Sequence, residues 1–502
     1  MAREIELKLA LSESAARTAA RHPILTGARS LPAKRLINIY YDTPALDLHQ
    51  AGVALRLRKQ GRQWLQTVKC AGERTGGLSS RPEWEQPYAG SFDFAAIDDA
   101  RLGRWLSRPR IVKRLQPVCE TTFTRRTWQV EPAADVRILI MLDRGAIASG
   151  ERTDPIIEIE FELVEGSAAD LLTLARQFAD SIPVRPEPLS KAERGYLLFG
   201  NASPRPHKAE PSPLTSDHRG AIDAFRLIAL ACLSQLQANE VGARTNQEPE
   251  YIHQMRVALR RLRSAMRTFS PLLPQAELEA LTPRLRELGR TLGETRDWDV
   301  LAHDIVGPVR AAFPGDTRVA SLEAAILAFR DQSRQLTASM LASPQYGRLM
   351  LDLLAFLHDP ALGNASDGDV PLREFANERL KRLQRRAVKR AEQARDHDAA
   401  KLHLLRIAIK RWRYALEFLA PLYTARQVKV QLNQMERLQA DLGLLNDLAN
   451  AGPRLVRCAG DDAVLREAVA LVAGWHGPAY SAVLKRLPAD IDRLVKHAQH
   501  ER

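Results

Sequence analysis

Residues 4–9 read EIELKL, and residues 155–163 read PIIEIEFEL. Charged and apolar residues alternate in both stretches, so Glu4, Glu6 and Lys8 would share one face of a strand while the apolar residues share the other. Neighbours two residues apart on such a face lie roughly 6–7 Å from one another. The pattern therefore predicts β-strands with one apolar face and one face of charged side chains only.

Further segments repeat this alternation. VALRLRK at residues 53–59 places Arg56 and Arg58 on one face, and PEWEQ at residues 82–86 places Glu83 and Glu85 on one face. An antiparallel sheet with one solvated face is the simpler interpretation. However, faces made only of Glu repel internally unless a cation lies among them. Paired carboxylates hold hard divalent ions, and Arg forks match phosphate oxygens, so the strands together indicate a site for a metal–polyphosphate ligand.

Composition limits the class of protein. The formal net charge of the 502 residues is +13, which favours polyanionic partners. The four cysteines are widely spaced, which argues against a zinc site and a disulfide framework and predicts a cytoplasmic protein. The first residues carry charges within their apolar stretch, so no secretory signal is expected. Uncharged apolar runs are short, so we expect no membrane span.

The chain changes character at residues 201–217, a proline-rich segment that predicts an extended linker. Before it, short alternating segments predict a strand-rich domain at residues 1–200, with one helix at residues 168–178. After it, three-and-four spacing predicts helices at residues 222–239, 250–270, 277–293 and 319–342. A second break at residues 358–371 divides this helical domain, residues 218–502, into two repeats at about residues 218–357 and 372–502.

The two helical repeats match at a constant offset of 150 residues, as in IHQMRVALRRLRSAMRTF from Ile252 and LHLLRIAIKRWRYALEFL from Leu402. The repetition predicts two tandem four-helix bundles. Each matched helix carries a basic stripe beside its apolar stripe: His253, Arg256, Arg260, Arg263 and Arg267 in the first, and His403, Arg406, Lys410 and Arg413 in the second. A solvated helix face is the alternative, and the two histidines could be core or capping residues. Within the stripes no acid lies three or four residues from these cations until Glu417, which stands where the first stripe has Arg267, so we expect them to line a groove for an anion.

The E-x-E-x-K start, the run YYDTPALDLHQAGVALRLRK at residues 40–59, PIIEIEFEL, and SKAERGYL at residues 190–197 resemble the CYTH, or triphosphate tunnel metalloenzyme, superfamily. The resemblance covers about residues 1–200. It implies a closed, eight-stranded antiparallel β-barrel around a polar tunnel, with Mg²⁺ or Mn²⁺ as cofactor.

The CYTH resemblance also implies roles for individual residues. The metal ligands would be Glu4, Glu6, Glu158 and Glu160. The residues that line the tunnel and bind phosphates would be Lys8, Arg56, Arg58, Lys69, Arg125 and Lys191, with Lys8 also counted as catalytic. Glu83 and Glu85 would act catalytically by placing metal or water, and Asp143 would hold a basic partner. Arg125 and its neighbour Arg126 are both candidates for the tunnel arginine.

The repeated H-x-x-R-x-x-x-[RK]-x-x-[RK] pattern, followed by LGxxRD or LGxxND, resembles the CHAD domain over about residues 216–502. This resemblance implies inorganic polyphosphate as a partner, bound by His253, Arg256, Arg260, Arg263, His403, Arg406, Lys410 and Arg413. Asn446 stands where the first repeat has Arg296, which, with Glu417, makes the second repeat less basic. Nucleic acid is a less favoured ligand, because the chain has few aromatic residues for base stacking and no recognition motif.

The combined prediction is a multidomain α+β protein, with a tunnel barrel followed by an all-α region. It would hydrolyse inorganic triphosphate in the tunnel and bind polyphosphate through the helical domain. Two alternatives stay open at this point: an adenylate cyclase or a nucleoside or thiamine triphosphatase, and a non-enzymatic protein that binds polyphosphate or associates with its granules.

Overall fold

The computed structural model describes residues 3–75, 77–202, 205–215, 217–363 and 370–500. They form two compact units: the sheet unit, Met1–Arg205 with Met340–Pro360, and the helical unit, Pro206–Ser339 with Ala361–Arg502. Residues 203–204 and 216 of the expected linker, and 364–369 of the expected second break, lie outside the described residues. The described part of 201–217 forms neither helix nor strand.

In the described residues, the sheet unit contains one antiparallel sheet of ten strands. The strands are β1 Arg3–Ala10, β2 Arg29–Asp42, β3 Val53–Gln60, β4 Gln63–Cys70, β5 Glu73–Thr75, β6 Leu78–Pro87, β7 Gln116–Ala133, β8 Val136–Ser149, β9 Arg152–Glu165 and β10 Arg185–Pro186. Their order is β10-β1-β9-β8-β7-β2-β3-β4-β6-β5, and β1 also pairs with β6.

The antiparallel curled sheet expected from the sequence is confirmed. The closed, eight-stranded barrel is not confirmed in that form, because the sheet has ten described strands and its linear order ends in β10 and β5. These two strands are only two and three residues long, and each adds a short edge to a longer strand. The sequence pattern missed them because such short segments carry no measurable alternation.

The helices are numbered along the whole chain. They are α1 Glu13–Ala19, α2 Pro23–Thr26, α3 Asp47–Gln50, α4 Ala100–Leu106, α5 Pro109–Val112, α6 Ala168–Ala179, α7 Lys191–Gly200, α8 Ala221–Ala238, α9 Glu240–Thr245, α10 Pro249–Phe269, α11 Gln275–Val300, α12 Gly307–Ala312, α13 Thr317–Leu341, α14 Pro344–His358, α15 Leu372–Gln393, α16 Ala399–Leu419, α17 Ala425–Ala459 and α18 Ala463–His500. Three 3₁₀ turns, at Ser270–Leu272, Pro360–Gly363 and Ala420–Leu422, and a π-helical segment, Leu301–Val306, complete the described set.

The apolar faces of the strands pack outward against helices rather than facing water. Leu7 of β1 and Phe161 of β9 are fully buried, and the Phe161 ring meets Phe178 of α6 edge-on with 5.6 Å between ring centroids. Helix α6 begins at Ser167, which forms a capping box with Asp170. Since the apolar side of the sheet is covered, the charged side faces the interior of the curl.

Helix α14 packs in the sheet unit although it lies far along the chain. Its Asp352 accepts a hydrogen bond from Arg176 of α6 at 2.8 Å, and its Arg348 pairs with Asp180 at the end of α6. Gly347 lies so close to the Val184 carbonyl that an added Cβ would be 1.9 Å from the oxygen.

The helical region of the C-terminal part is confirmed, and its elements repeat at the predicted offset. Helices α10 and α16 occupy positions that differ by 150 residues, and both are followed by a 3₁₀ turn and a long helix that again starts 150 residues apart. The grouping into two four-helix bundles stays a prediction.

One helical segment in the described residues, Ala221–Thr245, has the length and apolar composition of a membrane-crossing helix. In its most apolar window 61% of the residues are buried inside the molecule, as in the core helix of a helical bundle. This feature is weak evidence for a membrane span.

Candidate functional site

The charged faces of the strands line a cavity of about 310 Å³ in the sheet unit. Its wall consists of Glu4, Glu6, Lys8, Asn38, Tyr40, Ala54, Arg56, Arg58, Lys69, Glu83, Glu85, Phe123, Arg125, Glu160, Glu162, Ser190, Lys191 and Ala192. The structure thus brings together all the tunnel and metal candidates from the sequence except Glu158. That residue is 1% exposed and lies behind the lining.

Carboxylates gather where β1 pairs with β9. The register places Glu6 opposite Glu162 and Lys8 opposite Glu160, and strand alternation turns these side chains to the same face. Burial, together with the charges of Glu4 and Glu6, raises the pKa of Glu162 to about 7. A carboxylate surrounded by others gains stability from a cation, so this part of the wall has the donor chemistry that a hard divalent ion requires.

A second group of acids lies deeper. Oxygen atoms of Asp143, Glu158 and Glu160 lie within 4.8 Å of one another, a spacing that a metal ion could span. Lys191 compensates this group: its Nζ donates to Asp143 and Glu160 at 2.8 Å each and also pairs with Glu158. Although burial opposes the charged form, these carboxylates raise the pKa of Lys191 far above its ordinary value. The deeper acids therefore already have a cation.

Local structure fixes Lys191 at this position. It is the first residue of α7, directly after Ser190, which forms a capping box with Glu193. The Ser190 backbone N–H donates to Glu193 at 2.7 Å, and the Glu193 N–H donates to the Ser190 hydroxyl at 3.2 Å. The helix start therefore orients the lysine toward the carboxylates.

The opposite wall is basic, and its cations differ in how they are compensated. Lys69 bonds Glu4 and Glu83 at 2.7 Å each, and Arg56 bonds Glu83 at 3.3 Å. Burial raises the pKa of Glu83, but the charges of Lys69 and Arg56 outweigh it and hold that pKa below its ordinary value. These contacts fix Glu83 between two cations. Glu85 accepts from Thr67 Oγ1 at 3.0 Å on the same strand face.

Arg58 and Lys8 are the least compensated cations of the cavity. Arg58 Nε donates to the amide oxygen of Asn38 at 2.8 Å, and burial together with the charges of Arg56 and Arg125 lowers the pKa of Arg58 to about 10. Lys8 is 6% exposed and, within the described part of the chain, forms no ion pair shorter than 4 Å. Glu158 and Glu160 act on Lys8, and Glu85 acts on Arg58, but among the described residues neither cation is held in a close ion pair. Both are therefore positioned to bind an anion that enters the cavity.

The structure decides between the two adjacent arginines of β7. Arg125 lies opposite Asp143 in the register with β8; its Nε bonds Asp143 at 2.7 Å, and its side chain reaches Glu160. Arg126 is exposed and lies over the Trp128 ring at 4.9 Å from its centroid. Arg125 is therefore the arginine of the cavity, and Asp143 holds two basic partners.

Sequence reasoning missed several wall residues. Glu162 continues the Glu158 and Glu160 alternation by one step, and Asn38 shares the inward face of β2 with Tyr40, so period-two spacing carried the signal for both. Arg194 behind the wall pairs with Asp154 at 2.6 Å and with Glu158 at 3.4 Å. Because Arg194 follows Lys191 by about one helical turn, helical spacing could have indicated that both side chains lie on the same side of α7.

In the helical unit, the predicted basic stripes of α10 and α16 come together. Arg256, Arg260, Arg406 and Lys410 form the group called here the central cluster, in which burial and the charges of Arg260 and Arg406 lower the pKa of Lys410 to about 7. Arg260 Nε donates to the Tyr414 hydroxyl at 2.6 Å.

Carboxylates on other helices only partly compensate the central cluster. Arg256 lies 3.7 Å from Asp297 of α11, and burial outweighs this attraction, so the pKa of Arg256 is lowered. Asp447 of α17 acts on Arg406 in the same way. The cations remain in a mutually repulsive arrangement that an anion would relieve.

The remaining stripe residues lie at the margins of this cluster. His253 is half-buried, and burial with the charge of Arg296 lowers its pKa, which favours the neutral ring. His403 is exposed, with its Nδ1 3.3 Å from the Asn446 amide oxygen. Arg413 bonds Glu417 and Gln439 at 2.7 Å each, whereas Arg263 forms no ion pair among the described residues.

Comparisons with known proteins agree with this architecture. The family model of the CYTH domain matches residues 2–196, and the family model of the CHAD domain matches residues 227–456. The crystal structure of the CHAD domain from the plant Ricinus communis is 33% identical, with a TM-score of 0.50, and the match covers 59% of this chain and 97% of that one.

Two further relatives match this chain over different lengths. An inorganic triphosphatase of Haemophilus influenzae is 34% identical over 205 residues, which are 39% of this chain and 55% of that protein. The match therefore spans about half the length of that relative. An uncharacterized protein of Mycobacterium tuberculosis is 26% identical over 409 residues, which are 76% of this chain and 75% of that protein.

Proposed function

The chain belongs to the proteins in which a CYTH domain precedes a CHAD domain, and from this premise we propose that its sheet unit hydrolyses inorganic triphosphate with Mg²⁺ or Mn²⁺ as cofactor. The single observation that carries the proposal is the cavity whose acidic β1–β9 side faces the cations of β3 and β7. A metal–triphosphate complex presents the complementary charges. The name of the Haemophilus influenzae relative supports this choice of substrate.

The proposal includes a tunnel closed around the substrate. The pairing of β1 with β6, in which Glu6 lies opposite Ser79, supports closure, because it joins two strands from opposite parts of the linear sheet order. The Lys69–Glu4 ion pair, 2.7 Å long, links β4 to β1 and gives further support. A closed wall would exclude water and strengthen every charge contact within it.

The charged residues of the wall then divide into a phosphate-binding group and a metal-binding group. Lys8, Arg56, Arg58 and Arg125 bind the phosphate oxygens and offset the charge that develops during transfer to water. Glu4, Glu6, Glu160 and Glu162 would hold the divalent cation, and Lys191 fixes Glu158 and Glu160 from behind. A bound divalent cation neutralises phosphate oxygens and lowers the pKa of coordinated water. Glu83 and Glu85 lie beside Arg56 and orient the attacking water.

The cavity wall argues for a bare triphosphate over a nucleotide or thiamine ester. Tyr40 and Phe123 are its aromatic side chains among the lining residues, and the charged groups extend over both walls. A purine would need an apolar slot with a few hydrogen-bonding groups. The alternatives of an adenylate cyclase or a nucleoside or thiamine triphosphatase are therefore less supported.

We also propose that the helical unit binds inorganic polyphosphate at the central cluster, because a bare chain of phosphates satisfies closely spaced cations without aromatic platforms.

The four cysteines are free in the structure, which supports a reducing location such as the cytoplasm.

A phosphate-release assay tests the proposed reaction. Purified protein would be incubated with triphosphate, ATP or long polyphosphate, each with Mg²⁺, Mn²⁺ or no metal. We expect rapid metal-dependent release from triphosphate and little from the other two. Equal turnover of ATP would favour a nucleotide substrate, and no release from any substrate would leave only the binding function.

A further inference from the structure

The helical unit contains two clefts whose linings correspond at the same 150-residue offset. The first cleft, about 460 Å³, is lined by Arg263, Met266, Arg267, Ser270, Gln275, Leu278, Glu279, Thr282, Pro283, Leu285 and Arg286. The second cleft, about 610 Å³, is lined by Arg413, Ala420, Pro421, Tyr423, Ala425, Val428, Lys429, Leu432, Asn433 and Glu436. Eight lining positions are matched between them, so the duplication of the chain produced the same cleft twice.

The matched positions have diverged in polarity. Ser270 and Gln275 of the first cleft correspond to Ala420 and Ala425 of the second, and Thr282 corresponds to Leu432. At these three positions, hydroxyl and amide groups that could donate to an anion are present in the first cleft and replaced by apolar side chains in the second. One matched position changes in the opposite sense, because Pro283 of the first cleft corresponds to Asn433 of the second.

The charges have diverged as well. Where the first cleft has Arg286, the second has Glu436, and where the first has Arg267, the second repeat has Glu417. The one exchange in the other direction is Glu279, which corresponds to Lys429 and is held by Gln275 at 3.2 Å. The balance of these exchanges leaves the first cleft more positive.

One arginine that both clefts retain is engaged in the second and available in the first. Arg413 of the second cleft bonds Glu417 and Gln439 at 2.7 Å each. Position 439 corresponds to Gly289, and an added Cβ there would lie 3.2 Å from Arg263 Nη1, so the glycine leaves room beside the Arg263 guanidinium.

The cations of the first cleft lack acidic partners. Among the described residues, no carboxylate lies within ion-pair distance of Arg263, Arg267 or Arg286. Arg411 of α16 adds to the group: its Nε is buried without a hydrogen-bond partner in the described structure, and burial with the charges of Arg267 and Arg386 lowers its pKa to about 10. An anion would relieve this repulsion.

The first cleft continues the basic stripe of α10. From Arg256 of the central cluster to Arg267 in the cleft, the stripe covers eleven residues, roughly 16 Å of helix at 1.5 Å per residue. On α16 the corresponding path ends at the Arg413–Glu417 pair.

We propose that the first cleft binds the terminal phosphate of a polyphosphate chain and that the second cleft does not, so that the bound chain has one anchored end. The inference rests on the proposed binding of polyphosphate by the central cluster. A terminal phosphate carries one more ionisable oxygen than an interior one, which suits a cleft with three unpaired arginines and nearby hydroxyls.

Reciprocal charge exchange in the full-length protein tests the asymmetry. The double change Arg267→Glu and Arg286→Glu gives the first cleft the charges that the second repeat has at these positions. The double change Glu417→Arg and Glu436→Arg gives the second cleft the charges of the first. Affinity for linear sodium polyphosphate would be measured over a series of salt concentrations, with Arg290→Glu and Arg330→Glu as a control of equal charge change outside the clefts. Thermal unfolding would verify that each variant is folded.

We expect the first pair to weaken binding at least tenfold and to reduce the slope of log affinity against log salt by roughly 1.5, and the second pair to strengthen binding. The control pair should change affinity much less. Retained affinity in the first pair, or an equal loss in the control, would overturn the inference while leaving polyphosphate binding in place. Failure of the wild-type protein to bind polyphosphate would overturn the proposed binding function and the inference with it.

A polyphosphate whose terminal phosphates are blocked as phosphoramidates tests the anchored end. We expect the wild-type protein to bind it more weakly than the unblocked chain, and the variant with Arg267→Glu and Arg286→Glu to bind both equally. Equal wild-type affinity for the two probes would show that the cleft does not read the chain end. Displacement by single-stranded DNA at equal phosphate concentration would overturn the choice of polyphosphate.

Discussion

The cavity of the sheet unit and the central cluster of the helical unit both concentrate cations, but they balance charge in opposite ways. In the cavity, Lys69 and Lys191 are bonded to carboxylates at 2.7–2.8 Å, so the walls are nearly neutral as a whole. In the central cluster, burial and the repulsion from Arg260 and Arg406 lower the pKa of Lys410. This difference in charge balance supports the two proposals. A nearly neutral cavity suits an anion that carries its own divalent cation, whereas the mutually repelling cations of the central cluster suit an anion alone.

Removal of divalent metal should separate the two regions most sharply. With excess chelator, we expect triphosphate hydrolysis to be abolished, because the carboxylates of β1 and β9 then have no cation to share with the substrate. Polyphosphate binding should be unchanged. Phosphate release and equilibrium binding in the same buffer measure both, and a parallel loss of binding would contradict the distinction.

The next largest effect should come from Glu6→Gln, which removes one charge from the acidic wall without changing its shape. We expect a loss of about 100-fold or more in kcat at every Mg²⁺ concentration, with the melting temperature preserved. Glu165→Gln, at the exposed end of β9, is the matched control and should keep wild-type turnover. Wild-type rates from the Glu6 variant would refute the metal assignment.

Neutralising the central cluster should have a smaller effect on a different measurement. Changing Arg256, Arg260, Arg406 and Lys410 together to Ala should weaken polyphosphate binding about tenfold or more and flatten its salt dependence. Fluorescence titration at several salt concentrations measures both quantities. Unchanged affinity and slope would place the polyanion elsewhere on the helical unit.

The smallest effect concerns pH. Lys410 has a pKa of about 7 because of burial and the charges of Arg260 and Arg406, so its ammonium is present below pH 7 and lost as the pH rises through that value. Polyphosphate affinity should therefore fall about fivefold between pH 6 and pH 8, which is roughly the 1 kcal/mol of one partly screened charge contact. Lys410→Arg should remove this part of the pH dependence; an identical profile in that variant would assign it to another group.

Period-two and period-three-and-four patterns were sufficient to predict which strand faces line the cavity and which helix faces carry the basic stripes. They placed Glu4, Glu6 and Lys8 on one face of β1, and the predicted helix at residues 168–178 is α6. The choice between Arg125 and Arg126 could not be made from the sequence, because adjacent strand residues point to opposite faces and only the register with Asp143 decides. The pairing of Lys191 with the deeper acids Asp143, Glu158 and Glu160 could not be predicted from the sequence either, since it depends on where α7 packs against the sheet.

In the helical unit, the sequence could predict the repeat but not the contacts between its side chains. The offset of 150 residues revealed the duplication and the exchange of Arg267 for Glu417 directly. The consequence of Gly289 and Gln439 for the paired arginines required coordinates, because it depends on side chains of neighbouring helices meeting across the bundle. Sequence comparison of repeats therefore located the divergence, and the structure explained its effect.

The placement of α14 in the sheet unit has a practical consequence for anyone who wishes to excise either half of the protein. A fragment that stops at the proline-rich segment would lack Asp352 and Arg348, the partners of Arg176 and Asp180 on α6. A fragment that begins after it would carry α14 without the surface on which Gly347 rests. The sheet unit is therefore not continuous along the sequence, and a cut at the proline-rich segment does not separate the two units.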